Sequence, residues 1–314
     1  MLIKKAFVLG AGLGTRLRPL TEDTPKPLIP IFQKPLITFA LDHLIAAGVS
    51  SFVINIHKLA DRFNERFGIG EYAGCAVSLV HEPVLLETGG GIKNAEPLLN
   101  DETFITYSGD ILSDLNLRAL IEEHFQAEND VTLALRNTSL SSGVAFQNGR
   151  VIDIARKLGH TGTHDFANVA IWNSAIFDRL PAGQKMSFVP ALVDWIREGG
   201  RIGGLVLNDG KWFNIGSPSD YLAVHQAILR EKWRPHFVTD SQWPVRTHPT
   251  ATVDGQVELL GCTVIAENCR VGAGAMLKDT ILWPGAEIAS RSQLSSCILR
   301  SHQKASGFHH DHVF

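Results

Sequence analysis

A glycine-rich loop after the first apolar segment carries residue types that could bind phosphate. Residues 10–30 have the sequence GAGLGTRLRPLTEDTPKPLIP. Glycines let main-chain N–H groups approach phosphate oxygens, so Gly12 and Gly14 could form a cradle. Arg16 could offer a bidentate fork, and Lys26 a point charge fixed between two prolines. A dinucleotide-binding loop would lead directly into an apolar helix. The pattern therefore favours a phosphate site over such a loop, and over a solvated loop with incidental charges.

A second candidate is a carboxylate at the end of an apolar segment. Asp110 ends the sequence TFITYSGD of residues 103–110, at the carboxyl end of a predicted central strand. A hard oxygen ligand at that place suits Mg²⁺ beside phosphates, which is the interpretation we favour. Alternatively, Asp110 could cap a helix that starts near Asn116, although Asp114 could fill that role instead.

The elements that would position these residues follow from the spacing of apolar side chains. Up to about residue 230, apolar runs alternate with helical periodicity. This alternation predicts a Rossmann-like α/β domain with a mostly parallel sheet and helices on both faces. In such sheets the ligand binds beyond the carboxyl ends of the strands. The clearest helix, residues 36–47, ends at Gly48, and the predicted strands are residues 6–9, 52–56, 76–80, 103–107 and 131–135.

A different pattern begins near His248, where an aliphatic residue recurs every five to seven positions. The series is Val253, Val257, Val264, Val271, Leu277, Leu282, Ile288 and Leu294. This degenerate hexapeptide repeat predicts a short left-handed parallel β-helix of about three coils. We therefore predict the α/β domain over residues 1–235, a linker over 236–247, the β-helix over 248–300 and a loosely held, His-rich tail over 301–314.

Composition excludes several classes of protein. The chain has 314 residues, of which 45% are hydrophobic and 19% charged, and a net charge of -3. This balance fits a globular protein with no basic field for nucleic acid or an anionic membrane. No apolar stretch is long enough to span a bilayer, and the first apolar run is too short for a signal peptide. The four cysteines show no C-x-x-C pairing, so neither a zinc site nor a disulfide framework is indicated, and together these features predict a protein of the reducing cytoplasm. His309, His310 and His312 could gather a metal, but a polar tail is favoured.

The sequence GAGLGTRLRPLTEDTPKPL closely resembles the signature of the sugar-1-phosphate nucleotidyltransferases, or NDP-sugar pyrophosphorylases. The resemblance extends from residue 1 to about 230. It implies a magnesium-dependent reaction of a nucleoside triphosphate with a sugar 1-phosphate that releases pyrophosphate. It also implies that Gly12, Gly14, Thr15 and Arg16 line the triphosphate site, that Arg16 stabilises the leaving pyrophosphate, and that Lys26 contacts the reacting phosphates. Gly10 stands where the family usually has alanine, a mild departure.

A second glycine-rich loop, EPVLLETGGGIKN at residues 82–94, bears on the choice of base. Glu87 and Thr88 could hydrogen-bond a base edge, and Gly89 with the next two glycines would let a flat base lie against the backbone. A flexible turn before a helix is the alternative. In the family this loop holds the nucleobase, and LETGGGI is most similar to the N-acetylmuramic acid 1-phosphate uridylyltransferases. We therefore favour UTP, with mannose-1-phosphate guanylyltransferase activity as the alternative, because those enzymes carry similar strings.

The resemblance also assigns the metal and the sugar. It makes Asp110 a magnesium ligand and expects a second ligand in the pattern W-x-D-x-G. Here Asn214 replaces that aspartate, so Mg²⁺ should bind more weakly to the free enzyme, although an amide oxygen still coordinates a hard cation. Gly143 is expected to approach the sugar ring, Lys157 to hold the sugar phosphate, and Asn168 to lie in the sugar pocket. Each of these three could instead be a hairpin or surface residue.

Departures from the family pattern keep two other functions open. Arg156, Val169 and Asn214 differ from the usual residues, which would fit a non-catalytic regulatory protein that binds NDP-sugars. The intact first loop with Asp110 argues against that interpretation, because a sensor has little need of a leaving-group arginine. A β-helix that transfers acyl groups is disfavoured, since about three coils are too few for the usual trimeric site. We expect the β-helix to mediate a homo-oligomer or to pack against the catalytic domain.

Overall fold

The computed structural model of the chain describes residues 2–99, 102–138 and 142–314. The α-helices of these residues are α1 Leu36–Ala46, α2 Ala60–Phe67, α3 Glu87–Asn94, α4 Glu96–Leu99, α5 Leu117–Gln126, α6 Val189–Arg197 and α7 Pro218–Arg230. Short 3-10 helices are Thr15–Leu17, Lys26–Leu28 and Ser174–Arg179. The first fourteen strands are β1 Lys5–Leu9, β2 Pro30–Ile31, β3 Lys34–Pro35, β4 Ser51–Ile56, β5 Glu71–Tyr72, β6 Cys75–His81, β7 Phe104–Ser108, β8 Ile111–Ser113, β9 Val131–Arg136, β10 Val144–Gln147, β11 Arg150–Ile154, β12 Asp165–Trp172, β13 Ile202–Val206 and β14 Trp212–Asn214.

Eleven more strands follow in the C-terminal part of the described chain. They are β15 Thr252–Val253, β16 Glu258–Leu260, β17 Val264–Ile265, β18 Arg270–Val271, β19 Met276–Lys278, β20 Ile281–Leu282, β21 Glu287–Ile288, β22 Gln293–Ser295, β23 Ile298–Leu299, β24 Lys304–Ala305 and β25 Phe308–His310. Among the described residues, no helix combines the length and the apolar character needed to cross a membrane.

The chain divides into two compact units. Met1–Gly12 and Ile37–Trp212 form the first, which we call the sheet unit, and Leu13–Leu36 and Phe213–Phe314 form the second, the coil unit. The predicted boundary near residue 235 does not coincide with this division. The glycine-rich loop after Gly12 packs with the C-terminal part of the chain, which no local sequence pattern could indicate.

The sheet unit contains a ten-stranded sheet in the order β10-β11-β13-β9-β12-β7-β1-β4-β6-β5. Its centre is parallel, because β1 pairs in parallel with both β4 and β7, and β4 pairs in parallel with β6. Strand β12 runs antiparallel to both of its neighbours, β7 and β9. The predicted α/β class is therefore confirmed, with an antiparallel strand inserted that apolar periodicity did not predict.

The core of the sheet unit lies where the predicted apolar segments meet the helices. Buried members from several elements include Phe7, Leu133, Trp172, Leu192 and Ile202. Helix α1 ends close to the predicted position, and Gly48 follows it with a φ of 100°, a conformation that glycine adopts without steric cost. Strand β4 is buried over residues 52–56, as the apolar run there predicted.

The coil unit ends in a stack of short parallel strands, which we call the coil stack (residues 252–310). Its three ladders are β15-β18-β21-β24, β16-β19-β22-β25 and β17-β20-β23, an arrangement consistent with the predicted β-helix. Aliphatic residues of the predicted repeat are buried inside it, among them Val271, Leu277, Leu282 and Leu294. Each such strand buries its side chains only against the next coil.

The expectation of a loosely held tail over residues 301–314 is wrong. Strands β24 and β25 lie in this segment and extend two ladders by pairing in parallel with β21 and β22. Ala305 is buried in the stack, and the ring centroids of His309 and His312 lie 4.8 and 4.5 Å from that of Phe314. The histidines are thus part of an ordered final coil. The small apolar Ala305 continues the buried positions of the repeat, but the polar residues around it hid this continuation in the sequence.

Candidate functional site

Asp110 lies at the carboxyl end of the central strand β7, as predicted. The preceding Gly109 donates its main-chain N–H to the carbonyl oxygen of Leu9 at 2.9 Å, so the turn after β7 is fixed against the end of β1. A β-carbon on Gly109 would lie 3.0 Å from the same oxygen, which favours glycine at this position. Asp110 is partly buried in this turn, on the edge of the sheet where ligands of α/β proteins bind.

The alternative role for Asp110, capping the next helix, belongs to another residue. The side-chain oxygen of Asn116 accepts the main-chain N–H of Ala119 at 3.0 Å and caps α5. Asp114 instead accepts the main-chain N–H of Lys211 at 2.5 Å. Asp110 is therefore not explained by helix capping, while its role as a metal ligand stays a prediction.

A cavity of about 180 Å³ opens within the sheet unit at the ends of β1 and β7. Leu9 and Ser108 come from these strands, Thr88 from α3, Asn168 from β12 and Phe188 from the segment before α6. Two residues predicted to contact different parts of the substrates, Thr88 and Asn168, thus line one cavity. Its volume is below the roughly 300–1,000 Å³ of typical ligand pockets, so it fits only part of a substrate.

The three glycines of the second loop are packed against the protein's own chain, and their predicted contact with a base stays a prediction. They lie inside α3, which contradicts the alternative of a flexible turn. The main-chain N–H groups of Gly89 and Gly90 both donate to the carbonyl oxygen of Met186, at 2.8 and 3.1 Å. A β-carbon on Gly90 would lie 2.3 Å from the carbonyl oxygen of Gln184. The segment around residues 184–188 therefore presses directly against this helix.

Other residues of this loop keep their predicted roles as predictions. The Thr88 hydroxyl accepts the main-chain N–H of Phe188 at 3.3 Å at the wall of the cavity. Glu87 is exposed, starts α3 with a φ of 60°, and has a carboxylate oxygen 3.6 Å from the ammonium of Lys185. A non-glycine residue in the left-handed region costs conformational energy and often marks a functional position.

A buried polar pair that the sequence analysis missed connects the two glycine-rich loops. The side-chain oxygen of Asn55 accepts the main-chain N–H groups of Gly10 and Ala11 at 2.9 and 3.3 Å. Its amide nitrogen donates to Glu82 at 2.8 Å, and the other carboxylate oxygen of Glu82 accepts the N–H of Leu86 at 2.9 Å. Asn55 is 2% exposed and Glu82 0%. The only sequence signal was a polar residue near the end of an apolar strand.

The departure at position 10 has a local reason. A β-carbon on Gly10 would lie 2.7 Å from the carbonyl oxygen of Asn55, which is closer than non-bonded atoms tolerate. The alanine that is usual in the family would therefore not fit here without a shift of the main chain. Gly12, two residues on, has open space over its Cα, as a phosphate cradle requires.

The coil unit carries the rest of the first loop. Gly14 has a φ of 58° and precedes the 3-10 helix Thr15–Leu17, and its carbonyl oxygen accepts the hydroxyl of Thr21 at 2.7 Å. Lys26 starts the second 3-10 helix between its two prolines and is partly buried. Thr15 and Arg16 are exposed. The loop is thus a folded, hydrogen-bonded structure in which the Arg16 side chain is exposed.

Arg16 and the motif that contains Asn214 come together within the coil unit. A β-carbon on Gly216 would lie 3.6 Å from Nη1 of Arg16. The main-chain N–H of Gly216 donates to the carboxylate of Asp220 at 3.1 Å, and Ser217 donates to the same oxygen at 2.8 Å. Asn214 is exposed at the end of β14. Two residues that the sequence placed 198 positions apart, Arg16 and Asn214, therefore belong to one region of the surface.

The residues predicted for the sugar occupy two places in the sheet unit. Asn168 has a φ of 61° where the pairing of β12 with β9 is interrupted, and the adjacent Ala167 carbonyl accepts the indole N–H of Trp212 at 3.0 Å. The carbonyl oxygen of Gly143 accepts the N–H of Ala155 at 2.7 Å, which ties it to the turn that bears the exposed Lys157. The structure thus brings Gly143 close to the turn of Lys157.

A buried aspartate holds the turn of Lys157. Asp153 accepts the main-chain N–H groups of Leu158 and His160 at 2.8 and 2.9 Å. Burial alone would raise the pKa of Asp153, but main-chain N–H donors of the turn outweigh burial and lower it. Asp153 is therefore ionised at neutral pH and fixes the backbone beneath Lys157.

A family model described as Nucleotidyl transferase matches residues 5–231. The chain is 28% identical over 292 residues to a mannose-1-phosphate guanylyltransferase of Mycobacterium tuberculosis, covering 90% of this chain and 80% of the relative. It is 33% identical over 237 residues to an N-acetylmuramate alpha-1-phosphate uridylyltransferase of Caulobacter vibrioides, covering 72% and 97%. It resembles the inositol-1-phosphate CTP transferase structure from T. maritima with a TM-score of 0.59 and 20% identity, covering 70% and 92%, which shows the fold.

Proposed function

We propose that this chain, which belongs to the nucleotidyl transferase family, joins a nucleoside triphosphate to a sugar 1-phosphate and releases pyrophosphate. The observation that carries this proposal is the exposed Arg16, which lies beside the motif of Asn214 on a loop that carries the family signature. Nucleotidyl transfer is mainly a problem of positioning and charge neutralisation, and such a cationic loop serves both needs.

The proposed reaction needs no general base. The sugar phosphate is already an anion, and its oxygen attacks the α-phosphorus of the triphosphate in line. A new P–O bond forms there, and the bond from the α-phosphorus to the bridging oxygen breaks, so that pyrophosphate leaves with the electron pair. Arg16 and Lys26 offset the charge that develops on the leaving group. The main-chain N–H groups around Gly12, Gly14 and Thr15 bind the triphosphate.

A magnesium ion fits the oxygen donors that the family resemblance assigns. Asp110 offers a carboxylate at the end of a central strand, and Asn214 an amide oxygen. Within residues 2–99, 102–138 and 142–314, no cluster of three or more His, Cys, Asp or Glu side chains could hold a metal ion by itself. Phosphate oxygens would therefore complete the ligand set, as is usual for Mg²⁺ at nucleotide sites. When bound, Mg²⁺ neutralises phosphate charge.

For the substrates, UTP and an N-acetylated amino-sugar 1-phosphate of the muramic type are favoured. The string LETGGGI supports UTP, with Glu87, Thr88 and Gly89 at the base. The 33% identity with the uridylyltransferase of Caulobacter vibrioides supports the same pair. Gly143, Lys157 and Asn168 would contact the sugar phosphate, and Asn168 would do so from the cavity that it shares with Thr88.

A second candidate is mannose-1-phosphate guanylyltransferase activity, which the extent of the matches favours. The match to the guanylyltransferase of Mycobacterium tuberculosis covers 90% of this chain, whereas that to the uridylyltransferase covers 72%. The longer match must include part of the coil stack. Homo-oligomerisation through that stack remains part of the proposal.

The experiment that tests the function measures pyrophosphate release over a grid of UTP, GTP, dTTP, ATP and CTP against the 1-phosphates of muramic-type, glucosamine, glucose, mannose and heptose sugars. One strong pair identifies both substrates, and a blank grid from folded protein that still binds an NDP-sugar would favour a regulatory protein instead.

With the active pair of substrates, Asp110→Ala should lower turnover by about a thousandfold or more. The exposed Asp178→Ala serves as the matched control, and an unchanged rate in Asp110→Ala would remove Asp110 from the metal site.

A further inference from the structure

The glycine-rich loop is attached to the C-terminal half of the chain at its far end. The hydroxyl of Tyr221 on α7 donates to the carbonyl oxygen of Pro30 at 2.5 Å, and the indole N–H of Trp283 in the coil stack donates to that hydroxyl at 2.9 Å. The main-chain N–H of Phe32 donates to Nε2 of His225 at 3.0 Å. The side chains of Tyr221, His225 and Trp283 are buried, so the exit of the loop is fixed by residues far away in sequence.

A single arginine of the last coil grips the middle of the loop. Nη1 of Arg300 donates to the carbonyl oxygen of Pro19 at 3.3 Å and to the carboxylates of Glu22 and Asp23 at 3.0 and 2.8 Å. Its Nε donates to the main-chain oxygen of Phe314 at 2.9 Å. The side chain of Arg300 is only 16% exposed, whereas those of Glu22 and Asp23 are 49% and 68% exposed. The guanidinium is therefore the fixed partner and the loop carboxylates bind to it.

The gripped segment is continuous with the residues proposed to bind pyrophosphate. The main-chain N–H of Leu17 and the hydroxyl of Thr21 both donate to the carbonyl oxygen of Gly14, at 3.0 and 2.7 Å. The N–H of Glu22 donates to the carbonyl oxygen of Pro19 at 3.1 Å. Residues 14–22 are thus one hydrogen-bonded turn, and a restraint at its end limits the motion of Arg16 within it.

We propose that Arg300 is a positioning residue for the triphosphate loop, holding the turn of residues 14–22 in the conformation that presents Arg16. This proposal rests on the proposed function but adds a role for the coil stack within one chain. Arg300 touches no substrate, and it acts by lowering the conformational freedom of the loop before the triphosphate binds. Pre-organised donors cost no rearrangement during the reaction, which is why their loss slows turnover as well as binding.

The test compares Arg300→Met, which keeps the aliphatic stem, with Arg300→Lys and with Arg270→Met. Arg270 is an exposed arginine on β18 of the same coil stack and makes none of these loop contacts. We expect Arg300→Met to raise the KM for the triphosphate by about tenfold and to lower kcat. Arg300→Lys should recover part of both losses, and Arg270→Met should match the unchanged protein.

Limited digestion with trypsin gives a second readout that does not require activity. Trypsin does not cleave before proline, so Arg18 and Lys26 are protected by Pro19 and Pro27 and the bond after Arg16 is the cleavable site of the turn. We expect Arg300→Met to be cut there about tenfold faster, since proteolysis follows the population of the opened segment. Mass spectrometry of the new fragment that starts at Leu17 measures the rate.

The paired change Glu22→Gln with Asp23→Asn tests the same contact from the loop side, without touching the coil stack. It should accelerate the same cut, and it covers the case in which Arg300→Met fails to fold. A folded paired variant that is cut as slowly as the unchanged protein would overturn the proposal, as would kinetic constants of Arg300→Met equal to those of Arg270→Met. Faster cutting together with a blank substrate grid would leave the positioning role standing and would reject the proposed function alone.

Discussion

Removal of the Asn55 side chain should destabilise the sheet unit strongly and should loosen both glycine-rich loops. In Asn55→Ala, the main-chain N–H of Gly10 loses its acceptor and the buried carboxylate of Glu82 loses a donor. A buried polar group left without its partner costs about 1–3 kcal/mol, and two such groups are left here. We therefore expect the free energy of unfolding to fall by about 4 kcal/mol.

Urea denaturation measures this loss, and amide hydrogen exchange shows where it arises. The N–H groups of Gly10 and Leu86 should exchange faster in Asn55→Ala, because both depend on the same polar pair. The control is Asn64→Ala, an exposed asparagine on α2 whose replacement should change stability by less than about 0.5 kcal/mol. Glu82→Gln keeps the shape but sets an amide donor against a donor, and should cost about 2 kcal/mol.

A loss below about 1 kcal/mol in Asn55→Ala would refute this reasoning, because at least one orphaned buried group would then cost nothing. Unchanged exchange at Leu86 in a destabilised variant would be equally damaging. It would mean that Asn55 supports the first loop but is not coupled through Glu82 to the second.

Asn214→Asp should lower the Mg²⁺ concentration for half-maximal activity by about tenfold, because a full negative charge replaces an amide oxygen, and an unchanged titration would reject that ligand. Gly90→Ala should cost about 3 kcal/mol because its β-carbon would meet main chain at 2.3 Å, whereas Gly255→Ala, with open space over its Cα, should be neutral in the same urea titration. Burial lowers the pKa of His225 and His124 from 6.5 to about 4, so below pH 6.5 the unfolded chain binds protons that the folded chain does not bind. The free energy of unfolding should therefore fall by about 2 kcal/mol per histidine between pH 7 and pH 5. His124→Gln should reduce this dependence of stability on pH.

Much of the fold could be predicted because burial leaves a periodic trace in the sequence. The strand predicted at residues 52–56 is Ser51–Ile56, and that predicted at residues 131–135 is Val131–Arg136. Periodicity does not say which strands become neighbours, so the antiparallel placement of β12 between β7 and β9 could not be predicted. In the same way, the polar residues of the last coil concealed strands that form only because a preceding coil offers them a ladder.

Within the candidate site, the position of a residue could be predicted where it depends only on its neighbours in the sequence. Asp110 follows directly from an apolar strand and a glycine, and the structure places it at that strand end. Glycines indicate that another group approaches closely but not which group, and at Gly90 the group in contact is the main-chain carbonyl of Gln184. The contacts of Asn55 with Glu82 and of Arg300 with the loop join residues far apart in sequence, and no pattern within one segment encodes them.

The division of the chain into two units also sets the order in which a newly made protein can mature. Residues 13–36 are synthesised well before the partners that hold them, Trp283 and Arg300. During translation the central strands can pair while this stretch waits, open to proteases and chaperones. A polypeptide truncated before Trp283 would therefore contain every strand of the ten-stranded sheet, but its loop would lack these two partners. Full competence for the proposed reaction should appear only once Arg300 has been made.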